Sequence, residues 1–164
     1  MKSFMKVAMA TTLFTSIAGS ALAEDIKLGV FLGFTGPIES IVADMGPAAE
    51  LAIKEVSDSG ALLGGSTVTG VRGDTTCIDS AAATATAERL ITSDGVKAII
   101  GGDCSGVTTA IANNVGIPNG VVMVSPSATS PALSTIDDKG FFFRANLHAH
   151  KSKTHQITAG ATFK

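Results

Sequence analysis

Short apolar runs alternate with helix-like segments along residues 26–144. Five runs have the length, apolar content and bounding turn residues of strands: 26–33, 67–72, 96–100, 121–124 and 141–144. The run 67–72 is less apolar than the others, so we expect it near an edge of the sheet.

Three segments between these runs have helical spacing. The first is predicted from Asp44 to Gly60, with Pro47 in its first turn and an apolar face of Ala49, Ala52, Ile53 and Val56. The second runs from an Asp79 cap to Ser93, with the face Ala83, Ala87, Leu90 and Ile91. The third follows Ser105 and ends near 116–118. Strands separated by helices of this length predict an α/β fold with a doubly wound, mostly parallel sheet.

Two polar loops follow neighbouring predicted strands. Residues 101–106 come after the third strand and residues 125–131 after the fourth. Ligands of open parallel sheets bind outside the carboxyl ends of the strands, so both loops are expected to face one site. Ser105 and the backbone amides after it lie at the predicted N-terminus of the third helix, so we predict that they can bind a carboxylate. Ser127, Ala128 and Thr129 can add main-chain groups and a hydroxyl, which suits a zwitterion.

Cys77 and Cys104 are the only cysteines, and each follows a predicted strand. Residues 1–23 have the pattern of an export signal, described below, and an even cysteine count in an exported chain predicts a disulfide between them. The alternative is two free thiols. In an alternative interpretation, the run Gly102-Asp103-Cys104-Ser105-Gly106 is the nucleophile elbow of an α/β hydrolase, with Cys104 as the nucleophile. That reading needs an acid and a base downstream, in the order Asp137 or Asp138 and then His148, His150 or His155.

Residues 1–23 have the pattern of an export signal. Lys2 and Lys6 precede an apolar stretch, and Ala21-Leu22-Ala23 is a small-residue cleavage site. We therefore predict cleavage after Ala23 and a periplasmic location.

The charge changes sign near residue 145. Residues 24–144 carry seven basic and fourteen acidic side chains, whereas residues 145–164 carry three Lys, no acid and all three His. The acidic part argues against nucleic acid as a partner, because such binding depends on Lys and Arg. The sequence contains no dinucleotide or phosphate-loop motif, and we expect no cofactor and no metal site. The segment 24–144 is expected to be one domain, and 145–164 a basic tail.

Four motifs in order resemble the leucine/isoleucine/valine-binding family, the periplasmic substrate-binding components of ABC transporters. They lie at 34–37 (Phe-Thr-Gly-Pro), 49–60, 99–109 (with Cys-Ser-Gly-Val-Thr-Thr) and 125–133 (Ser-Pro-Ser-Ala-Thr-Ser-Pro-Ala-Leu). The resemblance implies the N-terminal lobe of a type I periplasmic binding protein, an amino acid or similar ligand, a membrane permease as partner and no enzymatic activity.

The resemblance also implies roles for single residues. Ser105 and Thr129 match positions that hold the ligand carboxylate; the Ser127 main chain and the Thr129 hydroxyl match the ammonium site. The candidate ligand-binding set is therefore Cys104, Ser105, Ser127, Ala128 and Thr129, and Cys77 with Cys104 match the family's disulfide. Ile41 falls near a position where several members have an aromatic residue.

The sequence after Arg144 departs from the family pattern. The family continues with a Thr-x-x-Pro-Ser-Asp type of segment, whereas this chain continues with Ala-Asn-Leu-His-Ala-His. The expectation is a truncated or frame-shifted product that lacks the second lobe and the acidic group completing the ammonium site.

Overall fold

The computed structural model describes residues 23–145. Its five strands are β1 (Asp25–Leu32), β2 (Thr67–Asp74), β3 (Ala98–Gly101), β4 (Val122–Ser125) and β5 (Phe142–Arg144). Its α-helices are α1 (Glu39–Asp58), α2 (Ser80–Thr92) and α3 (Ser105–Ile111), and α3 continues into a π-helical turn, Ala112–Gly116. The predicted signal segment before residue 23 and the predicted basic tail after residue 145 lie outside the described residues.

The strands form one parallel sheet in the order β2-β1-β3-β4-β5. β1 lies inside the sheet, with β2 on one side and β3, β4 and β5 on the other, as in a doubly wound fold. The predicted fold class is therefore confirmed. β2 lies at an edge, as its weaker apolar content predicted. All five strands end at the same edge of the sheet, where the loops 102–106 and 126–131 also lie.

Helices cover both faces of the sheet. Successive side chains of β1 point to opposite faces: Val30 and Leu32 join one buried cluster with α1 residues, and Phe31 joins the other with residues of α2 and α3. Each cluster is a layer of core between the sheet and its helices. Within residues 23–145, no helix combines the length and apolar content needed to cross a membrane.

Helix α2 forms as predicted. The Asp79 carboxylate caps it by accepting from the amides of Ala81 and Ala82 at 3.0 and 2.9 Å. Its buried face is Ala83, Ala87 and Leu90.

The prediction for α1 was wrong in its start, and its face was right for Ile53 and Ala49 but wrong for Ala52 and Val56. The helix begins at Glu39, so Pro47 lies inside it, not in its first turn. The buried positions include Val42 and Gly46 in addition to the predicted Ile53, while Val56 is 48% exposed and Ala52 is also exposed. The extra turns allow Val42 to pack with the β1 cluster, and this tertiary contact outweighs the local proline signal.

Candidate ligand site at the carboxyl edge of the sheet

The two predicted site loops contact each other directly. β3 and β4 are neighbours, with Ile100 opposite Val124, so their following loops emerge side by side. The Ser127 hydroxyl donates to the Asp103 carbonyl at 3.1 Å, and buried Ser125 donates to the Gly102 carbonyl at 2.5 Å. Their expected convergence is therefore present in the structure.

Ser105 lies at the centre of this contact. Its side-chain oxygen accepts hydrogen bonds from the backbone amides of Thr129 at 3.1 Å and Ser130 at 3.0 Å. A serine hydroxyl has two lone pairs and one hydrogen, so these two amides use its acceptor capacity and leave the hydrogen free to donate. Ser105 is the first residue of α3, and Cys104 occupies the position before the helix.

The candidate residues differ in accessibility. Ser105 is half-buried and Ser127 and Thr129 are exposed, whereas Ala128 is buried. The Ala128 amide donates to the Ser125 hydroxyl at 3.0 Å, and its carbonyl accepts from Arg144 at 3.3 Å. The main chain of Ala128 thus holds the loop in shape.

Arg144, at the end of β5, contacts the candidate site and was not among the residues predicted from the sequence. One guanidinium nitrogen donates to the carbonyls of Ala128 and Ser130, at 3.3 and 3.0 Å, and the other donates to the Ser134 hydroxyl at 2.5 Å. Burial lowers the pKa of Arg144 from its ordinary value, but an arginine remains charged near neutrality. The guanidinium therefore connects three residues of the segment after β4.

Asp103 was also missed, because the sequence analysis treated it only as a spacer of the elbow pattern. Its carboxylate is buried, with 4% of the residue exposed, and accepts from Gly33, Thr75 and Cys104. These donors follow β1, β2 and β3, so one side chain joins three loops of the same edge. No local pattern in the sequence signals contacts over such separations.

A disulfide joins Cys77 to Cys104, with 5.3 Å between their Cα atoms, as predicted. It ties the loop after β2 to the loop that carries Ser105. The hydrolase alternative finds no support, because the Cys104 sulfur is bonded and unavailable as a nucleophile. The histidines that this alternative needs lie outside the described residues.

Ile41 lies in the first turn of α1 with 64% of the residue exposed. Across residues 23–145, no group of three or more His, Cys, Asp or Glu side chains is arranged to hold a metal ion.

The chain is similar to known ligand-binding proteins. The family described as "receptor family ligand binding region" matches residues 44–163. The Leu/Ile/Val/Thr-binding protein of Salmonella typhimurium is 32% identical over 129 residues, which make up 79% of this chain and 34% of that protein.

Two solved structures extend the comparison. LivJ of Streptococcus pneumoniae, a branched-chain amino acid transporter substrate-binding protein in complex with isoleucine, has a TM-score of 0.66 at 26% identity, covering 76% of this chain and 34% of LivJ. An ABC-transporter solute-binding protein of R. palustris in complex with 4-hydroxybenzoate has a TM-score of 0.60 at 26% identity, covering 76% of this chain and 32% of that one.

The chain spans about a third of the length of these relatives. The described sheet corresponds to one lobe of the type I periplasmic binding fold, and the resemblance to the leucine/isoleucine/valine-binding proteins is confirmed in its N-terminal part. The chain belongs to the receptor family ligand binding region family.

Proposed function

We propose that residues 24–144 form the N-terminal lobe of a periplasmic protein that binds an amino acid or similar small carboxylate for delivery to an ABC importer. In this proposal residues 1–23 are a signal peptide removed after Ala23, and the partner is a membrane permease. Residues 145–164 are a segment outside the lobe. Relatives named as amino-acid-binding and transporter proteins support the proposal.

The observation that carries the proposal is the hydrogen-bonding state of Ser105. Because amides of Thr129 and Ser130 already donate to its oxygen, the hydroxyl can act towards a ligand only as a donor. A donor-only hydroxyl suits an anionic oxygen, and hydrogen bonds to charged groups are the stronger class. Ser105 is also half-buried, which reduces competition from water.

The loop after β4 supplies the groups for a ligand ammonium. The exposed Thr129 hydroxyl and the main-chain carbonyl of exposed Ser127 lie in this loop, and both can accept a hydrogen bond. Arg144 hydrogen-bonds to two carbonyls of the same loop, and these bonds restrict the movement of the loop. The ligand is thus recognised at its acid group by Ser105 and at its ammonium by the following loop.

The carboxylate is the group that the ligands of the two relatives share. Isoleucine and 4-hydroxybenzoate, bound by the two relatives, both carry a carboxylate, and only isoleucine carries an ammonium. We therefore propose a carboxylate as the first requirement and an α-ammonium as the second.

The test is an NMR titration of the ¹⁵N-labelled protein with four probes, three of them matched in shape. L-leucine has both groups, 4-methylpentanoate is leucine without its amine, and 3-methylbutylamine is leucine without its carboxylate; 4-hydroxybenzoate is a carboxylate of another shape. We expect the three carboxylates to shift the amide signals of Ser105 and Thr129, L-leucine at the lowest concentration, and the amine to leave them unchanged. Absence of any shift with all three carboxylates at tens of millimolar overturns the proposal.

A further inference from the structure

We propose that Asp103 is a positioning residue of the ligand site, whose carboxylate fixes the Cys104–Ser105 segment against the ends of β1 and β2. The ligand-related part of this inference rests on the function proposed above. The positioning itself concerns the ligand-free protein and is tested separately.

The contacts of Asp103 define its role. One carboxylate oxygen, Oδ2, accepts from the Gly33 amide at 2.5 Å. The other, Oδ1, accepts from the Thr75 hydroxyl and from the Cys104 amide, both at 2.9 Å. Thr75 is itself completely buried, so its hydroxyl depends on this carboxylate for a partner away from water.

The number and type of these donors favour a carboxylate over any other side chain of this size. All three donors are neutral groups that present a hydrogen, and an ionised Asp offers two oxygens that only accept. An Asn would fit the same space, but its amide nitrogen would replace one of the two oxygens and leave unpaired either Gly33 or both Thr75 and Cys104. An apolar residue would leave all three without this acceptor.

Asp103 also contacts the other side of the site through its main chain. Its carbonyl accepts from the Ser127 hydroxyl at 3.1 Å, so the residue touches loops following β1, β2, β3 and β4. Ser105 lies two residues after Asp103, and its side-chain oxygen accepts hydrogen bonds from the amides of Thr129 and Ser130. A displacement of Asp103 therefore changes the distance between the two loops that contact the ligand.

The test compares Asp103→Asn with Ile53→Val. Ile53 is buried on α1 and makes none of these hydrogen bonds, so its substitution lowers stability without altering the site. Thr75→Val removes one donor, leaves the carboxylate in place and serves as a milder second variant. Unfolding of all variants is measured first, and urea is added to the wild-type and Ile53→Val proteins to match their global stability to that of Asp103→Asn.

The readout is amide hydrogen exchange and the amide chemical shifts of the ligand-free proteins. We expect Asp103→Asn to raise exchange of the Gly33 or the Cys104 amide, whichever faces the new amide nitrogen, at least ten-fold over the matched Ile53→Val protein. It should also shift the Ser105 signal, and Thr75→Val should shift that signal less. Equal exchange at Gly33 and Cys104 in the matched proteins, or unchanged Ser105 signals in both site variants, overturns the inference.

Titration with L-leucine separates this inference from the proposed function. A wild-type protein that does not respond to L-leucine or the other carboxylates contradicts the function, while the exchange data still decide the positioning role. Where the wild type responds, we expect Asp103→Asn to need at least ten-fold more L-leucine for the same shift. A response equal to that of Ile53→Val contradicts a positioning role for the ligand site.

Discussion

The side-chain oxygen of Ser105 lies 3.1 Å from the backbone nitrogen of Thr129 and accepts its hydrogen bond. This bond connects the loops after β3 and β4 and leaves the Ser105 hydrogen free to donate. Two residues that the sequence predicted as partners of one ligand group are thus already joined to each other.

Ser105→Ala is expected to loosen the loop after β4 and weaken carboxylate binding. The amides of Thr129 and Ser130 lose their acceptor, and losing a hydrogen bond to a charged ligand costs about 1.5–3 kcal/mol, or at least ten-fold in affinity. NMR titration with L-leucine measures this, and amide exchange reports on the loop. Thr84→Ala on α2 deletes a helix hydroxyl that donates to the Ser80 carbonyl, away from the site, and should change neither. Unchanged affinity in Ser105→Ala would remove the assignment.

The disulfide is expected to be complete in the exported protein and to stabilise it. The cysteines are 27 residues apart, and the chain-entropy model gives about 3.5 kcal/mol for closing a loop of that size. Thiol titration under denaturing, non-reducing conditions should find no free thiol. The double variant Cys77→Ala with Cys104→Ala should unfold at lower urea than the oxidised wild type. Two free thiols per chain would contradict the bond and reopen the hydrolase reading.

Arg144→Lys is expected to destabilise the loop after β4. The planar guanidinium reaches two carbonyls and a hydroxyl at once, which a lysine ammonium cannot reproduce from the same position. We expect a loss of about 1.5–3 kcal/mol in urea unfolding. Arg89→Lys, which alters an exposed ion pair with Asp94, is the matched control and should cost less than about 1 kcal/mol. Equal losses in the two variants would argue against this role of the guanidinium.

The overall topology was predictable because hydrophobic runs and helical spacing are local signals. The strands lie within two residues of their predicted bounds, and the Asp79 cap was visible from its position before an apolar periodicity. The roles of Asp103 and Arg144 were not predictable in this way. Their partners are main-chain groups and hydroxyls of loops up to 70 residues away, and no spacing in the sequence encodes which loop a buried charge will face.

The Glu50–Arg72 pair is expected to make stability depend on pH in the acid range. Arg72 donates to both carboxylate oxygens of Glu50, with Nη2 to Oε2 at 2.8 Å, and this hydrogen bonding lowers the pKa of Glu50 below its usual 4.5, partly opposed by burial. A lowered folded-state pKa means that the stabilisation is present above pH 4.5 and is lost as the pH falls through the folded value. The effect is small, because both side chains are partly exposed to solvent, which screens their interaction.

Urea unfolding of wild type and Glu50→Gln from pH 3 to 7 measures this dependence. The two stabilities should converge at the acid end and separate above pH 4.5. Glu55→Gln removes the same charge from the same helix and controls for net charge. A separation that stays constant down to pH 3 would show that the pair contributes nothing through this ionisation.

Two glycines are expected to respond in opposite directions to the same substitution. A Cβ on Gly46, inside α1, would lie 2.6 Å from a ring carbon of Phe34, whereas a Cβ on Gly106, inside α3, meets no atom within 4 Å. Alanine favours a helix over glycine by about 1 kcal/mol, so Gly106→Ala should stabilise the protein by about 0.5–1 kcal/mol. In Gly46→Ala the clash outweighs that gain, and we expect a net loss of about 1–3 kcal/mol. Urea unfolding checks both variants. A stabilised Gly46→Ala would mean that Phe34 does not pack on α1 at this position, and the observed face of the helix would be wrong there.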